Sequence, residues 1–158
     1  HVLDGGLKKW IEEDKPTTVD IIKIIPSSYN VHEKKELVKD INQVNENIFK
    51  NKFNVIDARS LERFEGKAPE PRKGLRSGSI KNSFCLPFSE LINQDHTFIS
   101  KKKILEKFIS TGCEMDKNNV FSCGSGVTAS VLALAYFIID NKYMPTIYDG
   151  SWSEYGKN

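Results

Sequence analysis

The sequence predicts an α/β domain on a parallel sheet, and two observations carry that prediction. Short apolar runs of strand length (Phe53 to Asp57, Asn119 to Ser122, Thr146 to Asp149) alternate with longer segments of helical period. The middle run ends on Cys123, turns through Gly124 and Gly126 and opens into a helical stretch, as strand-to-helix junctions of parallel sheets do. In chain order, residues from Glu12 to about Val31 are polar and proline-punctuated, with only Ile21 to Ile25 reading as a strand before Pro26, Ser27 and Ser28 break it. Four isoleucines are costly to leave in water, so this segment is expected to pack on the domain. Glu33 to Phe49 carries Leu37, Ile41, Val44 and Ile48 along one face of an amphipathic helix. After the strand Phe53 to Asp57, residues 59–79 form a long loop rich in Pro, Gly and Arg, a length associated with function or disorder. Ser83 to Pro87 reads as a strand and Phe88 to Ile92 as a short helix. Lys102 to Cys113 reads as a helix with Ile104, Leu105, Phe108 and Ile109 inward. The strand Asn119 to Ser122, the helix Thr128 to Asn141 and the strand Thr146 to Asp149 complete the layers.

Composition narrows the function classes. At 158 residues the chain is one domain's worth, with 23 basic and 21 acidic residues and a net charge of +2. That balance, with no basic block interleaved with aromatics, argues against nucleic acid as a partner. The longest apolar stretch, Val131 to Ile139, is far short of the roughly 20 residues a membrane span needs, so a membrane role is not expected. Cys85, Cys113 and Cys123 are an odd number at irregular spacing, which suits free thiols in a reducing, cytoplasmic compartment. There is no Cys-x-x-Cys and no His cluster, so no zinc site is predicted. Cys85 and Cys113 read as core residues.

Cys123 reads differently. A glycine-rich turn can aim several backbone N–H groups at one point, with the positive end of the following helix behind it. Such a cradle favours negative charge, lowers a thiol from its free pKa of about 8.5 and makes the thiolate a nucleophile. Gly124 and Gly126 let the amides converge, and Thr128 is a candidate cap for the helix.

The loop Cys123-Gly124-Ser125-Gly126-Val127-Thr128 resembles the active-site loop of the rhodanese-type sulfurtransferases, in the form found in 3-mercaptopyruvate sulfurtransferases. Three further segments agree with it. They are Val55-Ile56-Asp57-Ala58-Arg59 with its continuation through Arg63, Pro69-Glu70-Pro71-Arg72 and Gly74 to Ile80; Leu86-Pro87-Phe88; and Tyr148 to Gly156. The resemblance implies a three-layer α/β/α domain around a central, mostly parallel sheet. It implies transfer of sulfane sulfur from 3-mercaptopyruvate to a thiol acceptor, or to cyanide, through a Cys123 persulfide, with no metal or organic cofactor. Cys123 and Ser125 become the catalytic candidates, and Arg63, Arg72, Gly124, Gly126, Val127 and Thr128 the substrate-binding ones. The implied partners are a small-molecule sulfur donor and an acceptor such as a thioredoxin-like protein or a low-molecular-weight thiol. Arg59 and Arg76 lie in the same segment, where an ion pair to Asp57 or Glu62, or a solvated charge, explains them equally well.

The two ends of the chain echo each other. Val2-Leu3-Asp4-Gly5-Gly6-Leu7-Lys8-Lys9-Trp10 parallels Ile147-Tyr148-Asp149-Gly150-Ser151-Trp152-Ser153-Glu154-Tyr155. Set beside two-domain members of the family, this implies that residues 1–11 are the tail of a preceding rhodanese-like domain. Residues 12–31 are then a linker, and 32–158 the catalytic C-terminal domain. Two alternatives stand beside the main reading. One is a thiosulfate sulfurtransferase, disfavoured because Gly124 and Ser125 are uncharged where thiosulfate-preferring relatives carry basic residues. The other is a sulfur-carrier or interaction module with little turnover, because His32 and His96 do not match a relay drawn from the first domain. Cysteine phosphatases place arginine six residues after the cysteine, and Ala129 stands there instead. Ser79 replaces a histidine common in the family.

Overall fold

The computed structural model describes residues 1–157. Its centre is a sheet of five strands, β1 (Val38–Lys39), β2 (Phe53–Asp57), β3 (Phe84–Cys85), β4 (Asn118–Ser122) and β5 (Thr146–Tyr148). They lie in the order β1-β5-β4-β2-β3, and every neighbouring pair is parallel. Because successive side chains of a strand face opposite ways, each inner strand feeds two cores. Val55, Val120 and Tyr148 join one core with Val44 and Trp152; Ile56 and Phe121 join the other with Phe108, Leu132 and Tyr136. The helices divide accordingly. α2 (Ile41–Lys50) and α6 (Ser151–Tyr155) cover the first face, while α4 (Lys101–Ser110) and α5 (Val127–Ile139) cover the second, giving three layers. Two short helices, α1 (Gly6–Glu12) and α3 (Leu61–Phe64), complete the set.

Several expectations change. The helix expected from Glu33 starts at Ile41, because Asp40 and Gln43 form a reciprocal capping box that fixes its first turn. Upstream of it, Lys35–Leu37 makes a 3-10 turn, and Val38–Lys39 pairs with Ile147 and Tyr148 as the edge strand β1. In α4 only Ile104 and Phe108 are buried; Leu105 and Ile109 are exposed, since a single row of a short helix reaches the sheet. Phe88–Leu91 is a 3-10 turn. The strand read at Ile21 to Ile25 is absent: residues 15–34 have no regular structure, and Ile21, Ile22, Ile24 and Ile25 are exposed, 75 to 96%. Both edges of the sheet are held by β1 and β3, and the segment has no ladder partner among the described residues. Cys113 is buried as expected, whereas Cys85 is only partly so.

Candidate active site

The chain leaves β2 toward β3 on one side and leaves β4 toward β5 on the other, so the loops after β2 and β4 part over the middle of the sheet. Such a switch point at the carboxyl ends of parallel strands is where a crevice forms. Here it is a hollow of about 370 Å³ lined by Arg63, Pro71 and Arg72 from one loop and by Cys123, Gly124, Ser125, Val127 and Thr128 from the other. The sheet's register puts Cys123 directly after the central strand, and the residue is only 1% exposed. Larger grooves lie elsewhere. One of about 510 Å³ at the opposite ends of the strands has no cysteine in its wall, and one of about 710 Å³ between residues 2–6 and α5 is almost wholly apolar.

The sulfur is surrounded by donors. The Ser125 amide donates to Cys123 Sγ at 3.4 Å. Burial pushes the thiol up, but the Thr128 hydroxyl and the amides of Ser125, Ala129 and Thr128 outweigh it and hold the thiol below its ordinary range. Thr128 therefore corrects one expectation. α5 is capped at Gly126 with no side-chain cap, because the tight turn carries Thr128 over the sulfur instead of back to the helix end. Gly126 itself lies behind the hollow. Its φ is 83°, and a Cβ there would stand 2.8 Å from Asp149 Oδ1 and 3.0 Å from Asp149 O, so the position excludes a side chain twice over. Val127, 73% exposed, forms part of the rim. Cys85 contrasts with Cys123: burial first, then the charge of Asp57, push it up to about 12.

What holds the loop comes from the turn after β5. Ser151 Oγ accepts from the amides of both Cys123 and Gly126, each at 3.1 Å, and donates to Tyr148 O at 2.8 Å. The Trp152 and Ser153 amides donate to the carbonyls of Cys123 and Gly124, both at 2.9 Å. Ser151 is fully buried at φ 48°, a left-handed conformation uncommon for residues other than glycine. Sequence reasoning matched this segment without giving Ser151 a task; the available signal was a hydroxyl immediately after Asp149-Gly150 at the end of the last strand.

The arginines divide into two kinds. Arg59 is buried and paired with Asp57 at 2.7 Å and with Glu70 at 2.7 Å, and its guanidinium lies 4.4 Å from the Trp152 ring centre. Arg76 also covers Trp152, at 4.8 Å. Both are structural pairings. Arg63 and Arg72 both line the hollow, but Arg63 is shared: its Nε and Nη2 donate to Glu70 at 3.2 and 2.5 Å. Arg72 donates to Gly124 O at 3.3 Å and is otherwise open to solvent. Glu70, its side chain 2% exposed, is a second residue sequence reasoning left without a role.

Comparison with known proteins agrees with this architecture. Residues 40–158 match the Rhodanese-like domain. Thiosulfate/3-mercaptopyruvate sulfurtransferase 2 of Arabidopsis thaliana is 37% identical over 98% of this chain and 51% of its own length. Human 3-mercaptopyruvate sulfurtransferase is 32% identical over 98% of this chain and 52% of its own. The crystal structure of SseA from Escherichia coli, described for the catalytic mechanism of 3-mercaptopyruvate sulfotransferases, superposes with a TM-score of 0.74. It is 30% identical, over 92% of this chain and 53% of that one. The chain thus spans about half the length of the curated relatives it matches. With the domain pattern covering everything from the cap of α2 onward, and a parallel sheet of the same shape beneath it, this chain belongs to the rhodanese-like family.

Proposed function

We propose that this chain carries the sulfur-transfer site of a sulfurtransferase, with 3-mercaptopyruvate as donor and Cys123 as the carrier. The observation that supports this most is a buried sulfur in a hollow lined by two arginines, taking a hydrogen bond from the Ser125 amide and held below its ordinary thiol range by the loop and the first turn of α5. In the first step the Cys123 thiolate attacks the donor's sulfur and forms an S–S bond. The donor's C–S bond breaks, its electron pair stays on carbon, and the resulting pyruvate enolate takes the proton that the transferred sulfur carried. The persulfide left on Cys123 carries its charge on the outer sulfur, one S–S bond beyond Sγ and still within the hollow, where the same loop donors and arginines favour an anion. In the second step an acceptor thiolate attacks the outer sulfur, the S–S bond breaks, and Cys123 returns to thiolate. Arg72, bonded only to the Gly124 carbonyl through Nη1, keeps donors for the carboxylate of the sulfur donor, and Arg63 adds its remaining ones. Ser125 contributes its amide at the sulfur. Thiosulfate is the second donor to weigh, since relatives are named for both; the uncharged Gly124 and Ser125 favour the carboxylate donor. A small thiol or a thioredoxin-like protein is the acceptor we propose.

Incubation with 3-mercaptopyruvate is expected to add about 32 Da at Cys123 alone, read by intact mass and peptide mapping. Labelling spread over Cys85 and Cys113, or absent from Cys123, would overturn the assignment.

A further inference from the structure

Building on the sulfur-transfer reading, we propose that Glu70 sets the charge of the hollow over Cys123 and thereby selects donors bearing one negative charge over donors bearing two. The geometry behind this is a ladder of ion pairs with an open end. Asp57 takes the Nε and Nη2 of Arg59; Arg59 Nη1 passes to Glu70 Oε1; Arg63 binds both oxygens of Glu70. Asp57, Arg59 and Glu70 are buried, with side chains 1 to 2% exposed, so solvent screens these pairs little. Two carboxylates thus match two of the three guanidinium groups. Glu70 is shared, its Oε1 taking Arg59 Nη1 at 2.7 Å while Arg63 holds both of its oxygens, so part of its charge falls on each guanidinium. Arg63 is the partner that meets the hollow, its Nη2 lying 3.2 Å from where a side chain on Gly124 would begin. Arg72 remains as the guanidinium without a carboxylate among the described residues, and the cluster's net charge is that of one cation.

The two donor chemistries ask different things of that cluster. For a monoanionic mercapto-carboxylate, thiolate and donor together bring two negative charges to the hollow. With thiosulfate they bring three: the Cys123 thiolate attacks the outer sulfur, the S–S bond of thiosulfate breaks, and the pair leaves with sulfite, which departs as a dianion while the persulfide keeps one charge. The extra charge is stabilised by whatever positive field Arg63 projects, and Glu70 cancels part of it. Burial pushes the Glu70 carboxyl up, but the hydrogen bond from Arg63 and the charges of both arginines outweigh burial and keep it ionised at neutral pH. Asp149, the other acid near the loop, sits behind Gly126 and outside the hollow, and is common to every variant below.

The test uses the whole chain in single-turnover form. Persulfide formation on Cys123 is followed by intact mass with thiosulfate and with 3-mercaptopyruvate, and the ratio of the two second-order rate constants is compared between variants. Glu70→Gln, close in size but neutral, is expected to raise the thiosulfate-to-mercaptopyruvate ratio about tenfold or more, as one unit charge a few ångströms away should. Glu70→Asp keeps the charge while disturbing the packing, and its ratio is expected to stay within about threefold of the parent even if both rates fall. A purely structural role predicts equal ratios in all three proteins and would overturn the proposal. Should Glu70→Gln fail to fold by circular dichroism, Val127→Lys adds a cation at the rim without touching the ladder. An unchanged ratio there overturns the proposal as well. A parent protein that forms persulfide with neither donor removes the sulfur-transfer reading itself, a result distinct from an unchanged ratio.

Discussion

The two Asp-Gly turns of this chain share a sequence pattern and a left-handed residue at the same place, though Gly5 is left-handed and Gly150 right-handed, and only the second holds the cysteine loop. Gly6 and Ser151 occupy the same place in the pattern, and both are left-handed, at φ 62° and 48°. Each opens a short helix. After Gly6 comes Leu7, 66% exposed, on a helix with no buried residue. After Ser151 comes Trp152, fully buried under two arginines. Asp4 accepts a hydrogen bond from the Phe98 amide at the surface, whereas Ser151 accepts from the two amides that shape the cysteine loop. The turn is a local matter, fixed by a few residues. Its value is decided by what stands opposite, and only the second turn faces the end of a central strand.

The largest expected contrast is in the apolar residue after each turn. Trp152→Ala should cost about 3–5 kcal/mol in urea unfolding, as emptying a packed aromatic site does, while Leu7→Ala should stay within about 0.5 kcal/mol. Equal costs would mean that the N-terminal turn is as integrated as the C-terminal one. Next comes the left-handed position itself. Ser151→Ala strands two buried amides, each worth about 1–3 kcal/mol, and should also slow alkylation of Cys123. Gly6→Ala meets nothing within 4 Å, so it should cost only about 1 kcal/mol of backbone strain and leave the thiol untouched.

A smaller effect separates the two thiols by pH. Since Cys123 is held below its ordinary range, its rate of alkylation by iodoacetamide should reach half its maximum below about pH 8.5, with Cys85 unlabelled under the same conditions. Thr128→Val removes one donor and should move that midpoint upward. The sign for stability follows. A thiolate favoured in the folded state contributes stability above the unfolded pKa, and that contribution disappears as pH falls through the folded value. The smallest change expected is for Asp4→Ala, at most about 1 kcal/mol for an exposed hydrogen bond, seen as a shift of under a few degrees in the melting temperature.

Much of this was legible in the chain itself. The inner strands, the helix after Cys123 and the cradle position of its sulfur follow from periodicity, from Gly124 and Gly126, and from the order strand, cysteine, turn, helix. Of the two-residue strands at the sheet's edges, Phe84–Cys85 falls within the strand read at Ser83 to Pro87, whereas the other was not foreseen. Val38–Lys39 has no pattern of its own and becomes β1 only because Ile147 and Tyr148 lie beside it. Ile21 to Ile25 has every local mark of a strand and finds no ladder partner among the described residues. The site divides the same way. Loop residues that act through their backbone could be read from their order, because a tight turn constrains its neighbours along the chain. Ser151 reaches back 28 residues to the Cys123 amide, and Glu70 balances arginines 7 and 11 residues earlier. Hydrogen bonds and charges act through space, and a distance of a few ångströms across three loops leaves no periodic trace in a sequence. What the sequence determined alone was where a nucleophile could be made. Which hydroxyl would hold its loop, and which carboxylate would take one arginine's charge, was decided when the parallel sheet brought the ends of β2, β4 and β5 to one edge.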